Sequence, residues 1–235
     1  MSSPCHTHTK AGQGKGAVVW LRRLFALLAK PLKSGRNQST NKKPNSQLTN
    51  AEYHLTAMKM ARITEAGSSL RDKAILLLLA ETGLRRAEVA SLRIEDIRWK
   101  ENLLVVKNGK GGKMRLVPLT PQLKSHLSAV VGDRKGGCLF ASSRGPTLSS
   151  RQINRIVAAA GRRANIRNPN PKYSQITPHL LRHSFARLWK DRGGSIEALA
   201  KILGHKSVKT TWDLYGTMSL EDVQREYQRI TRKGG

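Results

Sequence analysis

Four short stretches hold side chains whose types and spacing could do chemistry. In "ETGLRRAEVASL", Arg85, Glu88, Val89 and Leu92 recur at i, i+3, i+4 and i+7, one face of a helix. A guanidinium set on an apolar stripe needs a partner or an anionic ligand, and Glu88 is spaced to orient it. Taken alone, the pair also reads as a structural ion pair at the edge of a core. In "SQITPHLLRHSFARLW", Thr177 suits a helix N-cap and Pro178 the first helical position. His179 then falls in the first turn, where the positive helix end disfavours imidazolium and favours a neutral base. Arg182 follows on the same face, and an arginine at a helix N-terminus is a natural phosphate ligand. His183 reads as a structural hydrogen-bonding group. The stretch "VVKNGKGGKMRLV" offers Lys107, Lys110 and Lys113 around a turn, where a lysine either sits in solvent or reaches into a groove to donate a proton. Last, "ILGHKSVKTTWDLY" carries His205 and Tyr215. It reads as a helix-turn-helix unit about Gly204, or as a helix on which Tyr215 shares a face with Val208, Thr211 and Trp212 and simply packs. Together, however, two arginines, two histidines, a hairpin lysine and a tyrosine are the groups needed to break a phosphodiester without a metal.

These groups must be positioned by a folded domain, and the chain supplies one. Its 235 residues fit one ordinary domain plus an appendage, and 38% of them are hydrophobic. "SSLRDKAILLLLAETG" predicts a strongly apolar helix ending at Gly83, and "RRAEVASL" another short one. "LTNAEYHLTAMKMARITEAG" predicts a helix with Thr49 as N-cap and Glu52 in the capping-box position. "NLLVVKNGKGGKMRLVPL" alternates as two strands about a glycine-rich turn. Further helices are expected near 121–131, 149–164, 178–191, 196–203, 207–216 and 219–230. The fold class is therefore α+β, mainly α-helical, with a small antiparallel hairpin or three-stranded sheet.

Lys and Arg number 43 against 15 Asp and Glu, a formal charge of +28. Such a field favours a polyanion, and nucleic acid before an anionic membrane, because the excess is spread along the chain. Residues 1–51 hold nine of these cations and no acid. Within them "AVVWLRRLFALLAKPL" is broken by Arg22 and Arg23 and falls short of the ~20 apolar residues of a membrane span. "KSGRNQSTNKKPNSQ" reads as a flexible linker. Residues 1–46 are thus expected to be a basic, flexible segment, 47–232 the folded domain and 233–235 a tail. Two cysteines, Cys5 and Cys138, form no disulfide framework, and "PCHTH" lacks a second ligand pair at zinc spacing.

In type and order, "TGLRRAEV", "GKGGKMRLVPL", "TPHLLRHSFA" and "LGHKSVKTTWDLY" match the motif boxes of the tyrosine recombinases, and from about residue 47 to 230 the chain resembles the catalytic domain of that phage-integrase family. The resemblance implies that Arg85 and Arg182 are the paired phosphate-binding arginines, with Glu88 supporting the first. It implies that Lys110 is the hairpin lysine, His179 and His205 the two histidine positions, and Tyr215 the nucleophile. Basic positions Lys107, Lys113, Arg115, Arg151 and Lys206 are expected to contact DNA. Double-stranded DNA is the implied partner, bound by a homotetramer, with or without an accessory DNA-bending protein, and neither metal, cofactor nor membrane is called for. A prokaryotic cytoplasm, at the nucleoid, is the implied location. Two departures stand out. His205 and Tyr215 are ten apart where many members have nine, although the longer "TTWDLYG" form also occurs. The family usually carries an N-terminal core-binding domain, and residues 1–46 do not read as one, as in short members resembling the fimbrial invertases. The segment "SLEDVQREYQRI" is expected to form a last helix, Ser219 its N-cap, that docks on a neighbouring protomer. A type IB topoisomerase shares the chemistry but rejoins the same strand. A non-enzymatic helix-turn-helix DNA binder accounts for the charge but leaves Arg85, Glu88 and His179 without a task, and a basic RNA-binding protein stands further off.

Overall fold

The computed structural model describes residues 53–107, 114–142, 145, 147–205 and 207–215, with the side chains of Trp212, Leu214 and Tyr215 excepted. All of them belong to the compact unit Gln47–Gly235. Residues 1–46, the hairpin tip with Lys110 and Lys113, Lys206 and the expected helix at 219–230 lie outside the described residues.

Helix α1 spans Ala57–Glu65 and α2 spans Leu70–Thr82. The Leu-rich run of α2 is apolar on every side because α2 is central: α1, α3 (Arg86–Ser91), α4 (Pro121–Val131), α5 (Ser150–Arg163) and α6 (Pro178–Asp191) all pack against it. Ala74, Ile75, Leu76, Leu78 and Leu79 are completely buried. Ser69 caps its start, accepting from the Asp72 N–H at 3.1 Å, and Gly83 ends it in the left-handed region at φ 62°. The same logic bounds the later helices. Thr120 precedes Pro121 and caps α4, Ser149 and Gln152 form a capping box on α5, and Thr177 precedes Pro178 and caps α6. Helix α7 covers Ile196–Leu203 and α8 covers Val208–Tyr215.

One expected start is different. Thr49 and Glu52 lie outside the described residues, but 53–56 are not helical, and the N-cap of α1 is Thr56, which accepts from the Lys59 N–H. The cause is tertiary. Leu55 is fully buried, and its N–H donates to Ser184 Oγ on α6 at 2.8 Å, which holds this stretch extended.

Strands β1 (Ile97–Arg98), β2 (Leu103–Lys107) and β3 (Met114–Pro118) form an antiparallel sheet in the order β1-β2-β3. Leu104 faces Val117 and Val106 faces Arg115, so alternate residues turn to the core. Leu104, Val106 and Val117 are buried there, while Met114 and Leu116 face out. A second, small apolar cluster of Ala186, Leu199 and Leu203, with Phe185 and Trp189 against it, fastens α7 to α6.

Candidate active site

The α2–α3 turn builds one wall of the site. The sequence places Arg85 inside a helix, on a face with Glu88, Val89 and Leu92. Instead Arg85 is the N-cap of α3 (φ −74°, ψ 148°), because the left-handed turn at Gly83 restarts the backbone before the helix begins. Glu88, one turn in, reaches back: its Oε2 accepts the Arg85 N–H at 2.8 Å and its Oε1 accepts Arg85 Nη1 at 3.2 Å. The pairing of the two residues is as expected, through a cap rather than a shared stripe. The side chain of Arg85 is 46% exposed and that of Glu88 only 8%.

Arg115 is the residue placed most differently from expectation. The sequence puts it on the DNA-contacting face. Its side chain is 9% exposed and turns inward from β3 onto Glu88, Nη1 to Oε1 at 2.9 Å and Nη2 to Oε2 at 2.8 Å. Its Nε donates to the Ile202 carbonyl at 2.7 Å. Burial pushes the Glu88 carboxyl up, but the hydrogen bonds from Arg115 and from the Arg85 backbone outweigh it, aided by both charges. The group stays below the usual carboxylate range.

Arg182 is buried on the first turns of α6. Nη1 donates to the Gly83 carbonyl at 2.7 Å, and Nη2 to the Leu203 carbonyl at 2.9 Å. Nη2 also lies 3.0 Å from His205 Nε2. Arginine cannot accept, so His205 Nε2 must, and its Nδ1 then donates to Thr211 Oγ1 at 2.7 Å. The resemblance makes His205 one of the two histidine positions of the site. In this arrangement its Nε2 lone pair is given to Arg182, and its part is to hold the guanidinium. Burial, then the charges of Arg182, Arg85 and Arg115, depress His205 to about 4, so the ring is neutral near pH 7.

His179 sits in the first turn of α6, as expected, with its Nε2 2.7 Å from His183 Nε2. One of the two must carry a proton and the other a lone pair. Burial and then Arg182 lower His179, while burial, His179, Arg182 and His205 depress His183 to about 4. His179 is therefore neutral as the sequence anticipates, but burial and a neighbouring guanidinium are the causes, with no need of the helix dipole.

These groups meet in a cleft of about 660 Å³ lined by Arg85, Arg86, His179, Arg182, His183 and His205, and also by Asn154, Asn170, Tyr53 and Tyr173. Among the described residues, none that lines it is acidic. Lys107 is exposed and pairs with Asp96 at 2.6 Å, and Arg151 is exposed on the first turn of α5; neither lines the cleft. Tyr215 is the last residue of α8, which follows the His205 turn directly. Among the described residues no group of three His, Cys, Asp or Glu side chains could hold a metal ion, and no helix is long and apolar enough to cross a membrane. Sequence reasoning missed the Arg115–Glu88 pair, Thr211 and the carbonyls of Gly83, Ile202 and Leu203. The glycines at 83 and 204 are the only signal of those turns.

A mainly helical domain thus brings a locked, buried guanidinium and a half-exposed one into one cleft together with neutral histidines. The model of the phage integrase family matches residues 50–220, and the chain belongs to that family. It is 35% identical over 162 residues to tyrosine recombinase XerA of Pyrococcus horikoshii, covering 67% of this chain and 54% of that protein. It is 35% identical over 182 residues to tyrosine recombinase XerC of Pelobacter propionicus, covering 76% and 58%. The chain thus spans little more than half the length of these curated relatives. A crystal structure of XerA recombinase superposes with a TM-score of 0.66 at 30% identity, over 81% of this chain and 67% of that one. A XerH site-specific recombinase bound to difH matches in fold, with a TM-score of 0.63 at 24% identity, over 92% and 66%.

Proposed function

We propose that this chain is a site-specific DNA recombinase that breaks and rejoins double-stranded DNA through Tyr215. The observation that carries this reading is Arg182. A buried guanidinium is costly unless its donors are used, and here two carbonyls and His205 fix it beside Arg85 in a cleft with no acidic residue among the described ones that line it. Such preorganised donors stabilise charge that grows on the non-bridging oxygens of a phosphodiester.

In this mechanism Tyr215 Oη attacks phosphorus, the bond to the 5′-oxygen breaks, and a 3′-phosphotyrosyl link forms. A phenol with a pKa of about 10 needs help near neutral pH. His179, neutral and exposed, takes the phenolic proton, with His183 fixing its ring. Arg85 and Arg182 hold the non-bridging oxygens, and His205 keeps Arg182 in place. Lys110 protonates the leaving 5′-oxygen. The phosphotyrosyl bond conserves the energy of the broken one, so a 5′-hydroxyl from a partner strand reverses the step and completes the exchange. Strand exchange between two duplexes requires four active sites, which makes a tetramer on DNA the working assembly, with or without a DNA-bending helper. Lys107, Lys113, Arg151 and Lys206 serve as peripheral phosphate contacts.

The test is a suicide duplex, nicked so that the 5′-hydroxyl diffuses away after attack. The full chain should accumulate a covalent protein–DNA adduct, in chelator as well as without it, and Tyr215→Phe should form none while binding the duplex as well. An adduct that persists in Tyr215→Phe, or none from the full chain on any duplex it binds, refutes the reading.

A further inference from the structure

The last turn of α7 ends in an unusual way. A helix leaves its final four carbonyls without intrahelical partners. Here Ala200 O accepts the His205 N–H at 3.1 Å and Lys201 O accepts the Gly204 N–H at 3.2 Å, the usual glycine-terminated closure. The remaining two, Ile202 O and Leu203 O, accept from two different guanidiniums, Arg115 and Arg182. Two cations thus sit at the negative end of one short helix, immediately before His205. Arg182 belongs to the site already described. Arg115 does not line the cleft, yet from β3 it bonds both to Glu88 on α3 and to the end of α7.

We propose that Arg115 is a positioning residue for the DNA-breaking reaction: from β3 it locks the hairpin, the Glu88–Arg85 pair and the His205 turn to one another. The inference rests on the recombinase reading above. Each bond has a direct consequence. The two-pronged contact with Glu88 fixes the plane of the carboxylate, which in turn fixes both the backbone and the side chain of Arg85. The Nε bond to Ile202 O fixes the height of the turn from which His205 reaches Arg182. Gly204 leaves room for this: at φ 67°, a Cβ there would lie 2.9 Å from Arg115 Nη1 and 3.0 Å from Cδ. On the strand side Arg115 stands opposite Val106, so it is anchored by the sheet whose turn carries Lys110. A move of the hairpin is thereby transmitted to both ends of the phosphate clamp.

The experiment compares Arg115→Lys with the unmodified chain, in single-turnover adduct formation on the suicide duplex and in equilibrium DNA binding across a salt series. A lysine keeps the charge but cannot span Glu88 and Ile202 O together. The expected result is a rate at saturating DNA that falls about 10- to 100-fold, the scale of a misplaced catalytic group, with affinity and salt slope unchanged. Should Arg115 be a phosphate contact instead, affinity falls, Arg115→Gln flattens the log–log salt slope by about 0.9, and the saturated rate is kept. Should it serve stability alone, the melting temperature drops while the folded fraction reacts at full rate. Either outcome overturns the proposal. The neutral pair Glu88→Gln with Arg115→Gln leaves no buried orphan charge, so it guards against misfolding. It must fold and react slowly, and if it reacts at full rate, or if neither variant folds, the proposal is wrong. An unmodified chain that forms no adduct would instead refute the recombinase reading itself.

Discussion

Acid should unfold this domain earlier than its carboxylates require, and His183 is the reason. The residue is 9% exposed, and burial pushes its folded pKa down to about 4 against an ordinary 6.5. Burial is the first cause, followed by charge interactions with His179, Arg182 and His205. A depressed histidine binds fewer protons folded than unfolded, so its contribution to stability is complete above pH 6.5 and is lost as pH falls toward 4. Between pH 7 and pH 5 the loss from a shift of this size is about 2 kcal/mol. His205 is shifted as far but is more open to solvent, and screening reduces its share to about 1 kcal/mol. Glu81, raised by burial, acts in the opposite sense near the carboxylate range, and Glu88, held low, adds nothing until the pH is lower still. Urea denaturation followed by tryptophan fluorescence at pH 7, 6 and 5 reads the effect directly. With a slope of about 2 kcal/mol per molar, the midpoint should fall by about 1 M or more between pH 7 and pH 5. In His183→Gln, whatever its absolute stability, the fall should shrink by about two thirds. A midpoint independent of pH over that range, or an identical fall in His183→Gln, would show that His183 is not held neutral by its surroundings.

Two further outcomes follow from the same geometry. Arg182→Lys cannot reach the Gly83 and Leu203 carbonyls and His205 at once, so adduct formation should fall by about 10²- to 10³-fold while DNA affinity changes little; a loss of affinity with the rate retained contradicts a role in the reacting state. Gly83→Ala strains a left-handed residue and drives a Cβ to 2.6 Å from Phe185 Cδ1 and 2.8 Å from Leu203 Cδ2. It should cost about 2–4 kcal/mol in denaturation experiments and slow cleavage through Arg182, and a variant as stable as the unmodified chain refutes the packing argument.

Much of this architecture is legible in the sequence, for reasons that differ by element. Helix α2 is readable because an apolar run of that length, closed by Gly83, can only be a buried helix. Helices α4 and α6 are readable because Thr-Pro fixes cap and first turn together. The pairing of Arg85 with Glu88 survives a wrong geometry, since i, i+3 spacing serves a capping box as well as a helix face. What the sequence hides is set by distant backbone. Thr56 rather than Thr49 starts α1 because Leu55 is tied to Ser184, 129 residues away. Arg115 looks like one more cation in a basic hairpin, and only the approach of α7 and α3 makes it internal. The orientation of His205 depends on Arg182 and Thr211, neither of which its own neighbourhood in sequence identifies as partners.

The histidines and the arginines of the cleft are two sides of one electrostatic arrangement. Arg182 could be neutralised by a buried carboxylate, which would satisfy its charge and ruin the site as an anion trap. Instead it is held by carbonyl oxygens, two of them on turns that left-handed glycines close, so its hydrogen bonds are largely met while its positive field is left intact. Glu88, the carboxylate of this network, is already covered by Arg115 and the Arg85 backbone, which leaves the field on the cleft side positive. Burial first, and then that field, depress His179, His183 and His205, which are neutral near pH 7. Under the recombinase reading, a cleft that holds a phosphodiester thus comes with a neutral imidazole in its lining. Bound phosphate would cancel part of the field and raise that imidazole's affinity for a proton when the attacking hydroxyl has one to give up. Anion binding and base strength are in this way linked through the same guanidiniums, which act on the histidines after burial, so moving either arginine should disturb the pH dependence of cleavage as well as its rate.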